Sequence, residues 1–313
     1  SRLSKGSADD LASTIILASN KEIFLIPAMN VRMWEHKATQ KNFNTLIDYG
    51  YKFIGPEDGE MACGEYGKGK MSSPRQILSF LNRFLKKKDF LKSKKIRAIV
   101  TTGPTKEYID PVRYISNESS GKQGYEIALE LSRLGIKTTL ISGPTNINYS
   151  NEIKVKKIIS GKQMFNEIKK TLPTDIAVCT AAVSDFKPVM KNKQKLKKKI
   201  NLDKIQLEQN PDILEFLGKN NRHRPKLLVG FSAETENIIK NSIEKMHEKH
   251  CDIVVANDVS SKETGFNVDF NEVTIIENNG EVQKIKKSSK KFIASIIAQK
   301  IINSFLDIKK RLN

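Results

Sequence analysis

Cysteine is scarce in this chain, which has three among 313 residues. Cys63, Cys179 and Cys251 are too few and too widely separated for a disulfide framework or a zinc site built from paired cysteines. No apolar run reaches the roughly 20 residues that span a bilayer. The N-terminal residues also lack the basic and then apolar order of a secretory signal. We therefore predict a globular cytoplasmic protein with no membrane partner.

Positive charge is what the chain has in excess, with 54 Lys and Arg against 35 Asp and Glu and a formal net charge of +19. Such a charge attracts polyphosphate backbones and keeps a basic nucleic-acid-binding protein open as an alternative. The densest lysine runs, at 86–95, 191–199 and 284–291, are not interleaved with the aromatic residues that stack bases. We therefore predict no nucleic-acid partner. A basic surface for small phosphorylated substrates fits the charge equally well.

Short apolar runs alternate with helical patterns along most of the chain, which is typical of an α/β fold with a mainly parallel sheet. The polar stretch 86–95 predicts a boundary between a domain at 1–92 and another at 93–313. After it, a strand, a helix closed by Gly135 and a second strand predict a right-handed βαβ unit. The predicted strands lie at 22–27, 51–54, 96–101, 137–142, 175–180, 227–231, 252–256 and 272–276. The predicted helices lie at 41–50, from Pro74, and at 123–134, 235–249 and 290–306.

Two motifs in the first part of the chain bear on function. Residues 26–30, Ile-Pro-Ala-Met-Asn, taken alone predict a turn in which Asn30 caps the next helix. Residues 61–71 place three glycines around Cys63, which predicts a flexible flap that can close over a ligand. A cysteine in such a flap can deliver a proton once water is excluded.

Together these motifs resemble the decarboxylase half of the bifunctional phosphopantothenoylcysteine decarboxylase and phosphopantothenate–cysteine ligase family of bacterial coenzyme A synthesis. The resemblance implies a partial flavodoxin-like segment with FMN as the family's cofactor. It also implies that Asn30 holds the substrate carboxylate and that Cys63 protonates the enethiolate. The family's flavin-binding loop, catalytic histidine and Thr-Ala-Asn motif have no counterparts before Asn30, and the first histidine is His36. We therefore expect an incomplete decarboxylase half and no decarboxylase activity from this chain by itself.

A second set of motifs begins with Thr-Thr-Gly-Pro-Thr at 101–105, after a strand, and continues through 110–124 into a helix. Small residues and free N–H groups at a helix start favour an anion, and Gly124 falls where the helix packs on the sheet. The spacing matches neither Gly-x-Gly-x-x-Gly nor Gly-x-x-x-x-Gly-Lys-Ser/Thr. The α/β pattern keeps an NAD-dependent oxidoreductase open as an alternative, although the glycine motif of a dinucleotide-binding site is absent.

The second part of the chain resembles the ligase half of the same family throughout 93–313. The motifs that carry the resemblance lie at 101–105, 110–124, 181–186, 195–198, 209–214, 230–235, 256–259, 265–266 and 271–273. The resemblance implies a Rossmann-like domain that activates 4′-phosphopantothenate with CTP and Mg²⁺. Acyl-cytidylate and pyrophosphate form first, and L-cysteine then displaces CMP to give phosphopantothenoylcysteine. It further implies a homodimer formed through this domain.

The resemblance also assigns residues. Asn117 contacts the reaction intermediate and is catalytic, Arg113 binds substrate in the same loop, and Lys195 is the catalytic lysine near the triphosphate. Which lysine of 195–199 is active stays open, as do the metal ligands. The CTP-binding positions are Cys179, Thr180, Ala181, Asp185, Lys195, Pro211, Asp212, Ile213, Leu214, Phe231, Lys245 and Lys249.

Several of these positions have a purely structural alternative. Asp185 could cap a turn, Phe231 could belong to the core, and Lys245 with Lys249 could form a solvated helix face. His223, His247 and His250 have no carboxylate or cysteine at metal-ligand spacing, and we predict that they are surface residues.

Overall fold

The computed structural model describes residues 1–61, 64–93, 95–197, 205–234, 236–258 and 269–311. The chain divides into two compact units, Ser1–Phe90 and Leu91–Asn313. In the part of the chain that is described, no helix combines the length and the apolar character needed to cross a membrane.

Unit 1 contains short strands between helices. Its elements, with a last helix that ends just beyond the unit, are α1 Arg2–Lys5, α2 Leu11–Ala18, β1 Phe24–Leu25, α3 Val31–Glu35, α4 Lys37–Asp48, β2 Lys52–Phe53, β3 Glu57–Glu60, β4 Tyr66–Lys70 and α5 Pro74–Ser93. Strands β1 and β2 pair in parallel, and β3 and β4 form an antiparallel hairpin. The strands predicted at 22–27 and 51–54 are present but shorter.

Two predictions in this part of the chain were wrong in detail. The polar stretch 86–95, predicted as a linker, is helical as far as Ser93. It contains no glycine or proline, and lysine and leucine favour helix, so its charge did not interrupt α5. The helix predicted at 41–50 begins at Lys37, because the side chain of His36 accepts the Ala38 N–H and caps the helix start.

Unit 2 is built on one large sheet. Its elements are β5 Arg97–Thr102, β6 Glu107–Tyr108, β7 Tyr114–Ile115, α6 Lys122–Arg133, β8 Lys137–Ser142, β9 Lys154–Lys157, α7 Gly161–Thr171, β10 Ile176–Cys179, β11 Phe186–Pro188, β12 Leu207–Gln209, α8 Ile213–Gly218, β13 Leu227–Glu234, α9 Ile238–Lys249, β14 Ile253–Asp258, β15 Phe270–Glu277, β16 Val282–Ser289 and α10 Lys290–Arg311.

The large sheet has the strand order β16-β15-β14-β13-β10-β5-β8-β9. Within this sheet the six neighbouring strands β14, β13, β10, β5, β8 and β9 are parallel to one another. Strands β15 and β16 are antiparallel to their neighbours. This confirms the prediction of an α/β fold with a mainly parallel sheet. The edge strands β9 and β16 were not predicted. Both are rich in lysine, which protects an exposed sheet edge but hides the apolar pattern of a strand.

The sheet is buried on both faces. Alternate residues of β5 point to opposite sides, so Val100 packs into one core with Ile127 of α6 and Ile297 of α10. Ile99 packs into the other core with Met164 of α7 and Met246 of α9. Because both faces are covered, the central strands are nearly continuous apolar runs, and this is why they were predictable.

The order in which the chain builds the sheet places a crevice above its centre. From β5 the chain moves outward to β8 and β9, then returns to β10 and continues to β13 and β14 on the other side. The direction therefore reverses between β5 and β10. In open α/β sheets, ligands bind outside the carboxyl ends of the strands at such a point.

Candidate active site

The loops that leave β5 and β10 are joined by hydrogen bonds at the reversal point. The N–H of Ala182 donates to the carbonyl oxygen of Gly103 at 3.0 Å. The N–H of Ser184 donates to the hydroxyl oxygen of Thr105 at 3.1 Å. These bonds hold the 181–186 motif beside the 101–105 motif, although the two segments are far apart in sequence.

Helix α6 begins directly against these loops. Gly124 lies in its first turn, and a Cβ at this position would collide with the hydroxyls of Thr102 and Thr180. Gly121 at the helix N-terminus has φ of 72°, in the left-handed region that glycine tolerates. The structure therefore places the start of α6, with Ser119 and Ser120 before it, at the rim of the crevice. This agrees with the expected packing role of Gly124.

Two cavities open at the crevice. Cavity A, about 650 Å³, is lined by Thr102, Ser116, Asn117, Glu118, Ser119, Ser120, Gly121, Gln123, Gly124, Thr180, Ala181, Ala182, Val183, Asp185, Phe231, Ser232, Ala233, Lys245, Asn257, Asn271 and Lys290. Cavity B, about 520 Å³, is lined by Thr101, Cys179, Ala181, Val183, Ser184, Asp185, Phe186, Gln209, Asn210, Pro211, Asp212, Ile213, Leu214, Glu215, Phe231, Lys245 and Lys249. The cavities share Ala181, Val183, Asp185, Phe231 and Lys245, so they meet at a common wall.

Nearly all residues predicted to bind CTP line these two cavities. Lys195 is the one exception among the twelve. Asp185, Phe231 and Lys245 belong to the common wall, and 211–214 with Lys249 lie only in cavity B. The tertiary structure therefore gathers segments from four separate stretches of the chain around one space.

Asn117 lines cavity A from segment 109–121, which is called the substrate loop because it carries the predicted substrate contacts Arg113 and Asn117. Its side-chain amide donates to the carbonyl oxygen of Val183 at 3.0 Å. Asp185 is exposed at the common wall, and its main-chain carbonyl accepts the N–H of Asn210 at 2.8 Å. Asn117 and Asp185 thus face the same cavity from opposite loops.

The two lysines of α9 differ in their surroundings. The ammonium of Lys245 donates to the carbonyl oxygen of Phe231 at 3.0 Å at the common wall. Lys249, with a side chain only 16% exposed, contacts Asp212 at 3.3 Å, Glu215 at 3.4 Å and Glu248 at 2.6 Å. The hydrogen bond that Lys249 donates to Glu248, together with the nearby Asp212 and Glu215, raises the pKa of Lys249 despite its partial burial. The solvated helix face considered for this pair is not what the structure shows.

Lys195 lies in the loop that follows β11. It is exposed and lines neither cavity A nor cavity B. The next residue, Leu196, is fixed to the substrate loop, because its N–H donates to Asp110 at 3.2 Å and its carbonyl accepts the guanidinium of Arg113 at 2.8 Å. Asn192 adds a further bond from its N–H to the carbonyl of Ile109 at 2.9 Å. The loop that carries Lys195 is therefore attached to the loop that carries Asn117.

Asp110 holds this attachment together. Its side chain is fully buried and accepts the N–H groups of Val112 at 2.8 Å and Arg113 at 2.9 Å as well as that of Leu196. Burial raises the pKa of Asp110, but these N–H bonds and the nearby Arg113 charge more than offset it, and the net pKa is below its usual value. Arg113, predicted as a substrate ligand, uses its guanidinium within this loop junction.

Cys179 lines cavity B, and Cys251 is buried in the core. Burial raises the pKa of Cys179 and raises that of Cys251 to about 12. A neutral thiol is a poor nucleophile, so Cys179 contributes to the wall of cavity B rather than attacking a substrate. The histidines predicted at the surface, His223, His247 and His250, are all exposed.

In unit 1 the two motifs of the first part of the chain lie together. The N–H of Met29 donates to the carbonyl oxygen of Gly69 at 3.0 Å, and a Cβ at 69 would collide with the carbonyl oxygen of Met29. Of the segment 61–71 predicted as a flap, the described part contains β4, the second strand of the hairpin β3–β4, while Cys63 lies outside the described residues. Asn30 caps α3, because its side-chain oxygen accepts the Met33 N–H at 2.8 Å.

The motifs did not single out Gln123 and Lys290 as site residues, although both line cavity A. Lys290 is only 6% exposed, and the Gln123 amide donates to its carbonyl oxygen at 3.1 Å. In the sequence Lys290 belongs to a run of lysines, so no local signal set it apart. Its place in the cavity depends on α10 packing beside α6.

Two families match the chain. The family described as DNA/pantothenate metabolism flavoprotein C-terminal domain matches residues 93–305, and the flavoprotein family matches residues 1–86. The chain is 40% identical to the coenzyme A biosynthesis bifunctional protein CoaBC of Haemophilus influenzae over 305 residues, covering 97% of this chain and 75% of that protein. It is 35% identical to the protein of the same name from Bacillus subtilis over 302 residues, covering 96% and 74%.

Solved structures agree with these matches. The C-terminal domain of a coenzyme A biosynthesis bifunctional protein CoaBC is 35% identical, with a TM-score of 0.56, and the match covers 68% of this chain and 96% of that one. The DNA/pantothenate metabolism flavoprotein from Streptococcus pneumoniae is 22% identical with a TM-score of 0.56. That match covers 66% of this chain and 98% of that one. At this low identity, the match to the Streptococcus pneumoniae protein shows a similarity of fold alone.

Proposed function

The chain belongs to the family of bifunctional coenzyme A biosynthesis proteins CoaBC, and we propose that residues 93–313 are its CTP-dependent ligase. In this proposal the domain joins L-cysteine to 4′-phosphopantothenate. The reaction passes through an acyl-cytidylate and releases pyrophosphate and then CMP.

The observation that carries the proposal is the common wall of the two cavities. A ligase of this kind brings a carboxylate and the α-phosphate of a nucleotide into contact, so it needs two binding spaces that meet. Cavity A, reached by Asn117, takes the acid, and cavity B, lined by 211–214, takes CTP. The reacting groups meet at Asp185, Phe231 and Lys245, which belong to both cavities.

In the first step the acid's carboxylate oxygen forms a bond to the α-phosphorus and pyrophosphate leaves. Negative charge grows on the leaving group, and the ammonium of Lys245 lies at the common wall to stabilise it. Lys195 is the second cation in this proposal. It reaches the triphosphate from the loop that Asp110 and Arg113 hold beside the substrate loop.

Magnesium fits this site as a partner of the nucleotide. Among the described residues no three His, Cys, Asp or Glu side chains converge into a metal site. Mg²⁺ bound with a nucleotide takes most of its ligands from phosphate and water, with one or two protein carboxylates. Asp185 lines both cavities and is the carboxylate best placed to be that ligand. When bound, the ion neutralises charge on the triphosphate.

In the second step the amine of cysteine attacks the acyl carbon and CMP leaves. The side-chain amide of Asn117 lines cavity A and is held by Val183, so it can donate to the acyl-phosphate oxygen without reorganising. Holding the mixed anhydride in a fixed place also limits its hydrolysis before the amine arrives.

The proposal is tested by pyrophosphate release with CTP, Mg²⁺, 4′-phosphopantothenate and L-cysteine, and by omission of each in turn. We expect release to need CTP and the acid, and product to need cysteine as well. The strand order is also used by dinucleotide-binding domains. NAD binding without pyrophosphate release would favour the oxidoreductase alternative, and salt-sensitive DNA binding that CTP does not displace would favour the nucleic-acid alternative.

For unit 1 the flavoprotein match implies FMN as the family's cofactor. The described residues of this unit form five helices, two short parallel strands and a hairpin, and among them no glycine-containing loop joins a strand to a helix. We derive no decarboxylation step from them. For the 313-residue chain with FMN and phosphopantothenoylcysteine we expect no carbon dioxide, and its release would overturn that expectation.

We also propose that the ligase domain forms a homodimer, as the family resemblance implies. Light scattering after size-exclusion chromatography of the full chain tests this. A monomer at micromolar concentration would contradict it.

A further inference from the structure

Asn257 and Asn271 are two side-chain amides on the wall of cavity A. They belong to the motifs 256–259 and 271–273, which carry the family resemblance but contain no predicted site residue. Asn257 lies near the end of β14, and Asn271 lies near the start of β15. The side-chain nitrogen of Asn271 donates to the side-chain oxygen of Asn257 at 2.8 Å. The two strand ends are therefore joined by a pair of amides at the cavity.

The ladder of the sheet is irregular beside Asn271. The register of β15 against β16 shifts between Asn271 and Val273. At this irregularity the backbone N–H of Glu272 donates to the side-chain oxygen of Asn271 at 3.0 Å. Such β-bulges are frequent next to active sites, where they redirect a side chain. The Asn271 side chain is therefore held by the backbone as well as by Asn257.

The two bonds of Asn271 leave its amide only one orientation. A backbone N–H can only donate, so the atom that accepts it is the Asn271 oxygen, and the Asn271 nitrogen faces Asn257. The atom of Asn257 that receives this nitrogen has to be its oxygen. Among the described residues, the Asn257 nitrogen has no hydrogen-bond partner of its own. Because Asn257 is only partly buried and lines cavity A, this nitrogen is a donor available to a ligand there.

The burial of Asn271 indicates a purpose for its nitrogen. Only 2% of Asn271 is exposed. A buried amide lowers stability unless its polar atoms find partners, and the N–H of Glu272 needs only an acceptor. An aspartate or a serine would supply that acceptor. The Asn271 nitrogen is used by Asn257 alone, so the orientation of Asn257 explains the amide better than the stability of the irregular ladder does.

The place of the amide pair indicates which substrate it meets. Both amides line cavity A, and neither lines cavity B. In the proposed function cavity A takes the acid and cavity B takes CTP. An amide nitrogen can only donate, so the group that it meets has to be an acceptor. 4′-Phosphopantothenate offers acceptor oxygens along its length, and the Asn257 nitrogen selects such an oxygen over a donor group at the same point.

We propose that Asn271 is a positioning residue that fixes the Asn257 amide with its nitrogen toward cavity A, where this nitrogen donates to an oxygen of the acid substrate. The inference rests on the proposed ligase function. Asn257 takes part in binding and not in bond formation. Asn271 contributes through Asn257, because it prevents the Asn257 amide from turning its oxygen toward the ligand.

The experiment is a double-mutant cycle on the full chain with Asn257→Leu and Asn271→Asp, alone and together. Leucine has a similar shape to asparagine and no amide. The aspartate still accepts the Glu272 N–H but cannot donate, so the Asn257 amide has to turn and present its oxygen to cavity A. Binding of 4′-phosphopantothenate and of CTP is measured by calorimetry, and pyrophosphate release gives KM and kcat.

We expect Asn257→Leu to weaken binding of the acid by about 3- to 10-fold, the range of one lost hydrogen bond. Asn271→Asp should weaken it by about 10- to 100-fold, because an acceptor then faces the oxygen of the acid. In the Asn257→Leu background the effect of Asn271→Asp should be at least about fivefold smaller. The added charge is present in both backgrounds and cancels in this comparison. KM for the acid should follow binding, whereas kcat and CTP affinity should change less than about threefold.

Asn279→Asp is the matched control. Asn279 lies in the turn between β15 and β16 and lines neither cavity. Its side-chain oxygen accepts the N–H of Glu281 at 2.9 Å, and an aspartate keeps that bond. We expect binding of the acid to change less than about twofold. A loss as large as that of Asn271→Asp would contradict the proposal, because it would show a general effect of negative charge.

Equal effects of Asn271→Asp in the two backgrounds would overturn the proposal, because Asn271 would then not act through Asn257. Unchanged binding of the acid by Asn257→Leu would overturn it as well. If Asn271→Asp does not fold, as judged by circular dichroism, Asn271→Ser replaces it. Its hydroxyl can accept the Glu272 N–H but ends short of Asn257, so it should weaken binding of the acid by about 2- to 5-fold only when Asn257 is intact.

The unaltered chain separates this inference from the ligase proposal. If it does not bind 4′-phosphopantothenate, or if CTP releases no pyrophosphate with it, the ligase function fails. If the unaltered chain binds the acid and releases pyrophosphate but the cycle shows no coupling between Asn257 and Asn271, only the positioning role of Asn271 fails.

Discussion

The guanidinium of Arg113 donates a hydrogen bond to the carbonyl oxygen of Leu196 at 2.8 Å, across 83 positions of sequence. Leu196 follows Lys195, and Arg113 lies four positions before Asn117. Together with the bonds of Leu196 to Asp110 and of Asn192 to Ile109, this bond connects the loops that carry the two residues proposed to act on substrate. We expect the position of Lys195 and the position of Asn117 to depend on each other.

Asp110→Asn should loosen this connection. Asp110 is held ionised by N–H donors from both loops, so its lowered pKa stabilises the fold above its ordinary pKa of about 4. This stabilisation is lost as the pH falls from about 4 through the lowered pKa of Asp110. We expect the variant's thermal midpoint to lie below that of the unaltered chain at pH 7, and the difference to shrink below about pH 4.

The measurement is thermal unfolding by circular dichroism between pH 3 and pH 8, in steps of about one unit. Asp58→Asn in the hairpin β3–β4 is the control, and it should show no such pH-dependent difference. A difference for Asp110→Asn that stays constant with pH would show that the carboxylate's charge does not hold the loops together.

Lys195→Gln should abolish pyrophosphate release while leaving the fold intact, because an exposed cation is removed from the loop proposed to reach the triphosphate. Lys197→Gln is the matched control, since it removes an equally exposed lysine two positions away. We expect the control to keep activity within about threefold. If Lys197→Gln is the inactive variant, the active lysine of this run has been assigned wrongly.

Asn117→Asp should bind CTP normally and fail in turnover. The change replaces an amide donor with an acceptor and adds a negative charge beside the acid's carboxylate, so kcat should fall by at least about 100-fold. CTP affinity is measured by calorimetry and turnover by pyrophosphate release. Asn151→Asp, in an exposed turn, is the control. Normal turnover of Asn117→Asp would refute the assigned role.

Cys179→Ala should keep turnover within about threefold, because burial raises the pKa of this thiol and leaves it protonated at neutral pH. For the same reason Cys179 and Cys251 should react slowly with iodoacetamide at pH 8 in the folded chain and rapidly in urea. Mass spectrometry of alkylated peptides measures this. Fast alkylation of either thiol in the folded chain would contradict the buried environment, and an inactive Cys179→Ala would point to a chemical role for the thiol.

Much of the fold was predictable because it is encoded locally. Strand β10 is a continuous apolar run, β5 and β8 carry shorter apolar runs with threonine, and the helix α6 is amphipathic and closed by Gly135, so their positions follow from residue type and spacing. The lysine-rich strands β9 and β16 and the helical stretch up to Ser93 were missed or misread for one reason. Charge on an edge strand or an exposed helix face gives the same pattern as a linker.

By itself the sequence determined the α/β class, the motif segments and the residue types that can act on a phosphate and a carboxylate. The tertiary structure alone decided which of them meet. It placed Asp110 against Leu196 across 86 positions and Gln123 against Lys290 across 167. The physical reason is that a parallel sheet brings the carboxyl ends of distant strands to one edge, while the order of its strands and the packing of α10 on α6 arise only when the whole core closes.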